Sequence, residues 1–493
     1  MSRPLGSARE SRTPRTESLV SAAPPLRGAW AWPAYRYELA VPAGEQRALA
    51  SAWLALATAA LIGSGLFALL LVGARTPGVN ALLPGVDFFH VALVVHVDLS
   101  VLVWFLAMAG LLWSLAGSQR WLALGWAGFT LSALGALVMT LAPFFGAAAP
   151  VMSNYVPVLD DPRFLFGLAL FGAGMALTCL RALAVPGRVG MTLPGAGVLR
   201  FGLNAAAVAT ALTLIALVWS ALALRNGTAA GLQGKPYYEL LFWGAGHVVQ
   251  FTWTLLMLVS WLWLASRIEA LLPLSPRVVL LLFGVALVSV FATPVIYLAF
   301  EVGSVEHQRM FTWLMRFGGG LAIVPIVLAL ALALWRAPTC PLDARPLRAC
   351  LLASVTLFCV GGAIGFLIQG SDVRVPAHYH GAIVGVTLAL MGATYALLPA
   401  LGLGQPGRLA RWQPLLYGAG QLMHIIGLVW SGGYGVQRKV AGADQVLRTP
   451  QEVAGMGLMG LGGLVAIIGG LLFVVVVLQA ARRRAAPAAR QAA

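Results

Sequence analysis

Two histidines two residues apart, His378 and His380, open the long apolar run VPAHYHGAIVGVTLALMGATYALLP at 375–399. Ionisable side chains in such a run are costly to hold in lipid and mark function. A single metal gripped by one helix asks for donors three or four residues apart on a shared face. Residues two apart stand roughly 200° apart around a helix axis, so these rings point in nearly opposite directions. Each ring therefore serves a different partner. The other five histidines are His90, His96, His247, His307 and His424. Imidazole is a metal ligand and a proton carrier near neutral pH, so their placement decides what chemistry the chain supports.

The elements that position them are apolar stretches of the roughly 20 residues needed to cross a bilayer. They fall near 48–74, 88–117, 121–144, 163–184, 201–225, 238–266, 278–302, 308–336, 349–370, 376–403, 412–434 and 454–481. The expected fold is an all-α integral membrane bundle of twelve transmembrane helices. Connections after the even-numbered spans carry Arg120, Arg188, Arg200, Arg267, Arg277, Arg345, Arg348, Arg408 and Arg411. The opposite connections hold Asp87, Asp160, Asp161, Asp372, Asp444 and Glu452. Positive loops stay inside, which puts both termini inside as well.

In that topology spans 2, 6, 8 and 10 begin on the outer side. His96 and His247 lie about two turns into spans 2 and 6, His307 opens span 8, and His378 and His380 open span 10. Five imidazoles from four helices thus share the outer third of the membrane. Such a set suits buried haem iron and a neighbouring metal. His96 and His380 would clamp one haem from both faces, while His378, facing away, would hold a second haem on one side only. His90, near the headgroups, and His424, in mid-span, are expected to be structural.

Composition narrows the class further. The chain has 493 residues, 60% of them hydrophobic and 10% charged, which excludes an ordinary soluble domain. Its net charge of +16 is spread between apolar runs and tails rather than gathered into a nucleic-acid patch. Cys179, Cys340, Cys350 and Cys359 form neither CxxC nor CxxCH, so no c-type haem attachment or zinc ribbon is present. Residues 1–46 read as a basic, disordered cytoplasmic tail, 47–482 as the haem-binding membrane domain and 483–493 as a basic C-terminal tail. A bacterial-type inner membrane is the expected location.

With these residues placed, the chain resembles the catalytic subunit of the haem–copper oxidase superfamily, which includes cytochrome oxidases and nitric-oxide reductases. The resemblance spans essentially all twelve segments. AHYHGAIVG resembles the span-10 motif, implying that His378 binds a high-spin haem and His380 a low-spin haem. VALVVHVDLSVLVWFLAM resembles span 2, with His96 as the other low-spin ligand. LFWGAGHVVQF resembles span 6, with His247 on the non-haem metal, copper or iron. NYVPVLDDPRF and GGYGVQRKV resemble two outer loops, with Arg438 and Lys439 in the place of a basic pair that meets haem propionates. The resemblance implies a respiratory oxidoreductase that passes electrons through the low-spin haem to the high-spin haem and its metal, where O2 or NO is reduced.

Three departures bear on the chemistry. Where the family commonly has two adjacent histidines, EVGSVEHQRMFTW supplies Glu306 and His307. Glu306 either completes a site with His247 and His307, favouring iron as a harder donor, or sits at the interface in solvent. The tyrosine that many O2-reducing members place four residues after the span-6 histidine is Phe251 here, and Tyr297 is ten residues before His307. A phenol supplies an electron and a proton when O–O is split, whereas coupling two NO molecules needs only two electrons. The residues therefore lean toward NO reduction to N2O. The only lysines, Lys235 and Lys439, lie outside the spans, so no proton pumping is expected, while Asp98, Glu239 and Glu301 offer an outer proton route. With no CuA-type or c-haem motif, electrons would come from another subunit, a soluble cytochrome c or cupredoxin, or a quinol. The rivals are a non-catalytic haem-binding membrane protein and a twelve-span transporter.

Overall fold

The computed structural model describes residues 33–76, 86–227, 231–337, 339–440 and 445–483. The helices are α1 (Glu45–Arg75), α2 (Val86–Val97), α3 (Trp104–Ala116), α4 (Leu122–Leu141), α5 (Pro162–Ala184), α6 (Ala196–Asn226), α7 (Gly234–Arg267) and α8 (Pro276–Val290). They continue with α9 (Ala292–Ala299), α10 (Val305–Gly318), α11 (Gly320–Arg336), α12 (Arg345–Gly365), α13 (Arg374–Leu397), α14 (Gln413–Gly433) and α15 (Pro450–Arg482). A π-helical turn, Asp98–Val103, joins α2 to α3 in one continuous rod. Between α4 and α5 a short antiparallel ribbon, β1 (Pro150–Val151) with β2 (Val158–Leu159), folds the intervening loop back on itself.

Eleven segments of the described chain are long and apolar enough to cross a membrane; α8 with α9 and α10 with α11 each form one of them. The sequence predicts twelve. The difference is α14, at the expected eleventh span. Its 21 residues reach roughly 31 Å, yet Gln413, Gln421, His424 and repeated glycines dilute its apolar character.

Burial ranks the helices by role. The most apolar window of α7 is 94% buried and that of α13 is 78%, whereas the windows of α1, α4, α8–α9 and α10–α11 are only 33% buried. The two most enclosed helices carry His247, His378 and His380, whereas His307 lies on α10, in one of the least buried segments.

Close helix pairs rest on glycine. In α14 and α15 a Cβ on Gly427 would stand 2.4 Å from the Met459 backbone nitrogen, and one on Gly462 would stand 2.3 Å from that of His424. Small residues let membrane helices meet backbone to backbone. Gly427→Leu is expected to pry this pair apart at the upper end of the roughly 1–3 kcal/mol typical of overpacking, read as a lower thermal midpoint in detergent.

Buried arginines close helix ends. Arg200 lies within α6, not in a connection, and donates to the carbonyls of Ala116 (3.0 Å), Gly187 and Val189. Arg181 donates to Ser118 O at 2.6 Å and Trp121 O at 3.1 Å. Both meet carbonyls at or just beyond the end of α3, where a cation suits the negative helix end. Arg200→Leu is expected to cost about 3 kcal/mol, since each bond from a charged donor nets roughly 1.5–3 kcal/mol; thermal unfolding at fixed detergent measures it.

The first stretch before α1 corrects the expected disordered tail. Tyr35 pairs with Leu272 by two backbone hydrogen bonds, and Tyr37 is fully buried with its hydroxyl donating to Leu274 O at 2.6 Å. Two tyrosines fix this segment against the loop between α7 and α8. Residues 1–32 and 484–493 of the two expected tails lie outside the described residues.

Candidate functional site

His378 and His380 leave α13 on opposite sides, as their spacing requires. The His378 ring lies against α12, where its Nδ1–H donates to Gly361 O at 2.7 Å. Gly365 leaves it room, since a Cβ there would stand 2.8 Å from the ring. The His380 ring faces α14 and packs 4.8 Å, centroid to centroid, from His424. His96, on α2, donates from Nδ1 to Ser64 O of α1 at 2.9 Å, with the Ser64 hydroxyl 3.0 Å from the same nitrogen. A backbone carbonyl can only accept, so Nδ1 carries the proton in His96 and His378 and Nε2 is left bare. This is the presentation metal-ligating imidazoles adopt, and both side chains are only half-buried. Bare imidazole nitrogens presented in this way are of the kind that suit haem iron.

His424, expected to be structural, lies on the His380 side. Its Nδ1–H donates to Met459 O of α15 at 2.9 Å. The sequence signal was available in hindsight, since α14 runs antiparallel to α13 and carries His424 to a comparable depth.

The other two histidines expected at the site lie on α7 and α10. His247 Nδ1–H donates to Trp243 O at 2.7 Å, and its bare Nε2 accepts the hydroxyl proton of Tyr155 at 2.8 Å. His307 is fully buried, and neither of its ring nitrogens has a partner. The two imidazoles flank one aromatic side chain, Phe311, at 6.1 Å and 5.0 Å between centroids. A buried imidazole without partners is costly unless something absent from a bare polypeptide meets it. Both imidazoles are of the type that ligates metals, and Phe311 contacts each of them.

Glu306 does not join them. Ser304 caps α10 by accepting from His307 N at 3.1 Å, and this start turns His307 inward and leaves Glu306 exposed. Of the two alternatives the sequence left open, the geometry favours the interface. Among the described residues, no three His, Cys, Asp or Glu side chains form a group that could hold a metal ion.

Tyr155 was missed because the search for a phenol was confined to spans 6 and 7. It belongs to the loop between β1 and β2, and its ring lies over Gly246, where a Cβ would come within 2.2 Å. The glycine preceding His247 in GAGHVV was the available signal. Tyr297, set aside on spacing, does reach His307 with its ring at 5.0 Å, but its hydroxyl donates to Ala216 O at 3.0 Å, away from the imidazole.

The basic pair divides. Arg438 donates to Ser371 Oγ at 3.1 Å and is otherwise open, a suitable partner for an anionic group. Lys439 instead turns its Nζ to Met152 O at 2.7 Å and Asn154 Oδ1 at 3.3 Å. Burial pushes its ammonium down to about 8; Arg438 adds to the fall and Glu239 opposes it. Asn154 in turn meets Glu239 of α7 through its backbone N–H at 3.1 Å. Lys439 thus fastens the Tyr155 loop. Arg75, not singled out in the sequence, approaches the same end of the bundle through Gln445 Oε1 at 3.3 Å and Gln437 O at 3.5 Å. Asp98 opens the π-helical turn with both carboxylate oxygens buried and unpartnered, on a cavity of about 20 Å³ that Tyr155 and Trp253 also line.

The chain is 27% identical over 492 residues to an uncharacterized protein of Rickettsia prowazekii (strain Madrid E), covering 86% of this chain and 94% of that one. It is 30% identical over 355 residues to an uncharacterized protein of Aquifex aeolicus (strain VF5), covering 71% and 84%. Its fold matches a heme-copper terminal oxidase dimer solved by cryo-EM with a TM-score of 0.68 at 15% identity, over 92% of this chain and 86% of the other. The sequence profile of the family described as cytochrome C and quinol oxidase polypeptide I matches residues 48–480. A bundle with opposed imidazoles on one central helix, and a match running through nearly all of it, mean that this chain belongs to the cytochrome c and quinol oxidase polypeptide I family.

Proposed function

We propose that the protein is the catalytic subunit of a multi-pass membrane oxidoreductase that reduces a diatomic gas between a high-spin haem and a non-haem metal. The observation that supports it most is the opposed pair on α13, His378 tied to Gly361 on one side and His380 beside His424 on the other. The haems would supply one-electron redox chemistry and an open coordination position for the gas. His96 and His380 would hold the low-spin haem, and His378 the high-spin one. Ser64 O and Gly361 O fix the tautomers that aim Nε2 at each iron. Arg438 stands at the outer end, where it would neutralise propionates. The buried walls of α7 and α13 exclude water around the site.

The gas is O2 or NO. The lean toward NO rests on a missing phenol and an altered metal ligand; Tyr155 supplies a phenol at His247, which leaves only the second premise. The reading also includes twelve passes, with α14 as the twelfth, termini inside, a bacterial-type cytoplasmic membrane, no proton pumping, and a separate electron donor: another subunit, a cytochrome c, a cupredoxin or a quinol. A second reading, a haem protein that does not catalyse, is favoured by the lack of a third His, Cys, Asp or Glu ligand among the described residues. A reduced-minus-oxidised spectrum, with and without CO, and parallel O2 and NO consumption test both. Two haems with one shifting on CO, and consumption of either gas, support the enzyme. A single six-coordinate haem without consumption supports the second reading.

A further inference from the structure

We propose that the third protein donor to the non-haem metal is the phenolate of Tyr155, acting with His247 and His307, and that this set takes iron in preference to copper. The proposal rests on the gas-reducing reading above.

The arrangement at His247 carries it. Nδ1 gives its proton to Trp243 O, so Nε2 is a bare lone pair, and the Tyr155 O–H fills it at 2.8 Å. A metal ion arriving there replaces one proton, which leaves for solvent, and meets an imidazole nitrogen and a phenolate oxygen. Two donors each about 2.0–2.1 Å from one ion, at roughly 90° to each other, stand about 2.9 Å apart. Tyr155 and His247 stand 2.8 Å apart, an ordinary hydrogen-bond length that is also close to the separation of two neighbouring ligands.

Three further observations point to the same ion. His307 is fully buried with both ring nitrogens unpartnered, which marks a donor whose acceptor is missing from the bare chain. Tyr155 is held in place, its ring over Gly246 and its loop fastened by Lys439 to Met152 O and by Asn154 to Glu239. The residue expected to be the third ligand, Glu306, is exposed. Phenolate is a hard oxygen donor, and two imidazoles with one such oxygen suit iron better than three imidazoles do.

The test uses the full chain purified in detergent, as wild type, Tyr155→Phe and Tyr155→His. Haem, non-haem iron and copper are counted per protein, and resonance Raman spectra are taken with and without ring-deuterated tyrosine. The expected result is one non-haem iron in wild type, with iron-phenolate modes that move on deuteration. Tyr155→Phe should keep both haems yet bind iron at least tenfold more weakly and lose those modes. Tyr155→His, which offers a third imidazole, should shift uptake toward copper. Retention of iron at wild-type affinity in Tyr155→Phe overturns the proposal. So does a wild-type protein without non-haem metal, or one whose metal shows no deuterium-sensitive modes. If Tyr155→Phe loses its haems, the labelled wild-type spectrum decides alone. Wild type without any CO-sensitive haem would instead defeat the gas-reducing reading, and the haem count separates the two failures.

Discussion

Replacing His380 by leucine is expected to remove the low-spin haem bands while leaving the CO-sensitive haem in place, and His378→Leu should do the reverse. The two rings leave one helix in opposite directions, so each substitution strips one pigment without touching the other's ligand. Leucine fills comparable space but offers no lone pair, which separates loss of ligation from loss of packing. His96→Leu should match His380→Leu, because two imidazoles must bind for a six-coordinate iron. His424 makes a second variant necessary. Its ring lies 4.8 Å from His380, and its Nδ1 is tied to Met459 O, which leaves a bare nitrogen on a neighbouring helix. If His380→Leu keeps low-spin bands, His380→Leu with His424→Leu must lose them. Bands that survive the double change would remove the basis for assigning His380 to a haem.

The second large effect concerns the other centre. His247→Ala and His307→Ala are each expected to lower gas consumption by about 10²–10³-fold, with both haems retained. Losing one of few ligands removes roughly 3–4 kcal/mol of transition-state stabilisation, and each 1.4 kcal/mol is tenfold in rate. Haem content should hold, because α7 and α10 carry none of the three residues assigned to iron porphyrin. The measurement is turnover per haem, beside a CO difference spectrum from the same preparation. Unchanged turnover in both variants would mean that the gas is handled at the haem alone.

Much of this was legible in the chain because histidine spacing on a helix is geometry. The 200° between His378 and His380 predicted two environments, and the fold supplies α12 on one side and α14 on the other. Apolar run lengths gave the membrane class and placed most helices within a few residues. What the sequence hid depends on loops and on helix starts. Glu306 and His307 are adjacent, and only the Ser304 cap decides which of them faces inward. Tyr155 is 92 residues from His247, and nothing local says that a loop crosses over Gly246 to meet it. Lys439 reads as a propionate partner by position, yet the nearest acceptors are Met152 O and Asn154. Two polar tyrosines likewise disguised 33–44 as part of a tail, although Tyr37 is wholly enclosed.

The π-helical turn at Asp98–Val103 has a consequence for how this rod tolerates changes in length. A wide turn accommodates an extra residue within an otherwise regular helix and shifts the angular phase of everything beyond it. His96 can therefore keep its aim at Ser64 while α3, every residue of which is buried, is oriented independently. A lineage that lost one residue in this stretch could straighten the rod without sliding either end along the bilayer normal by more than a fraction of a turn. Gain or loss of a residue anywhere else in the same rod would swing either the imidazole or the enclosed half out of register.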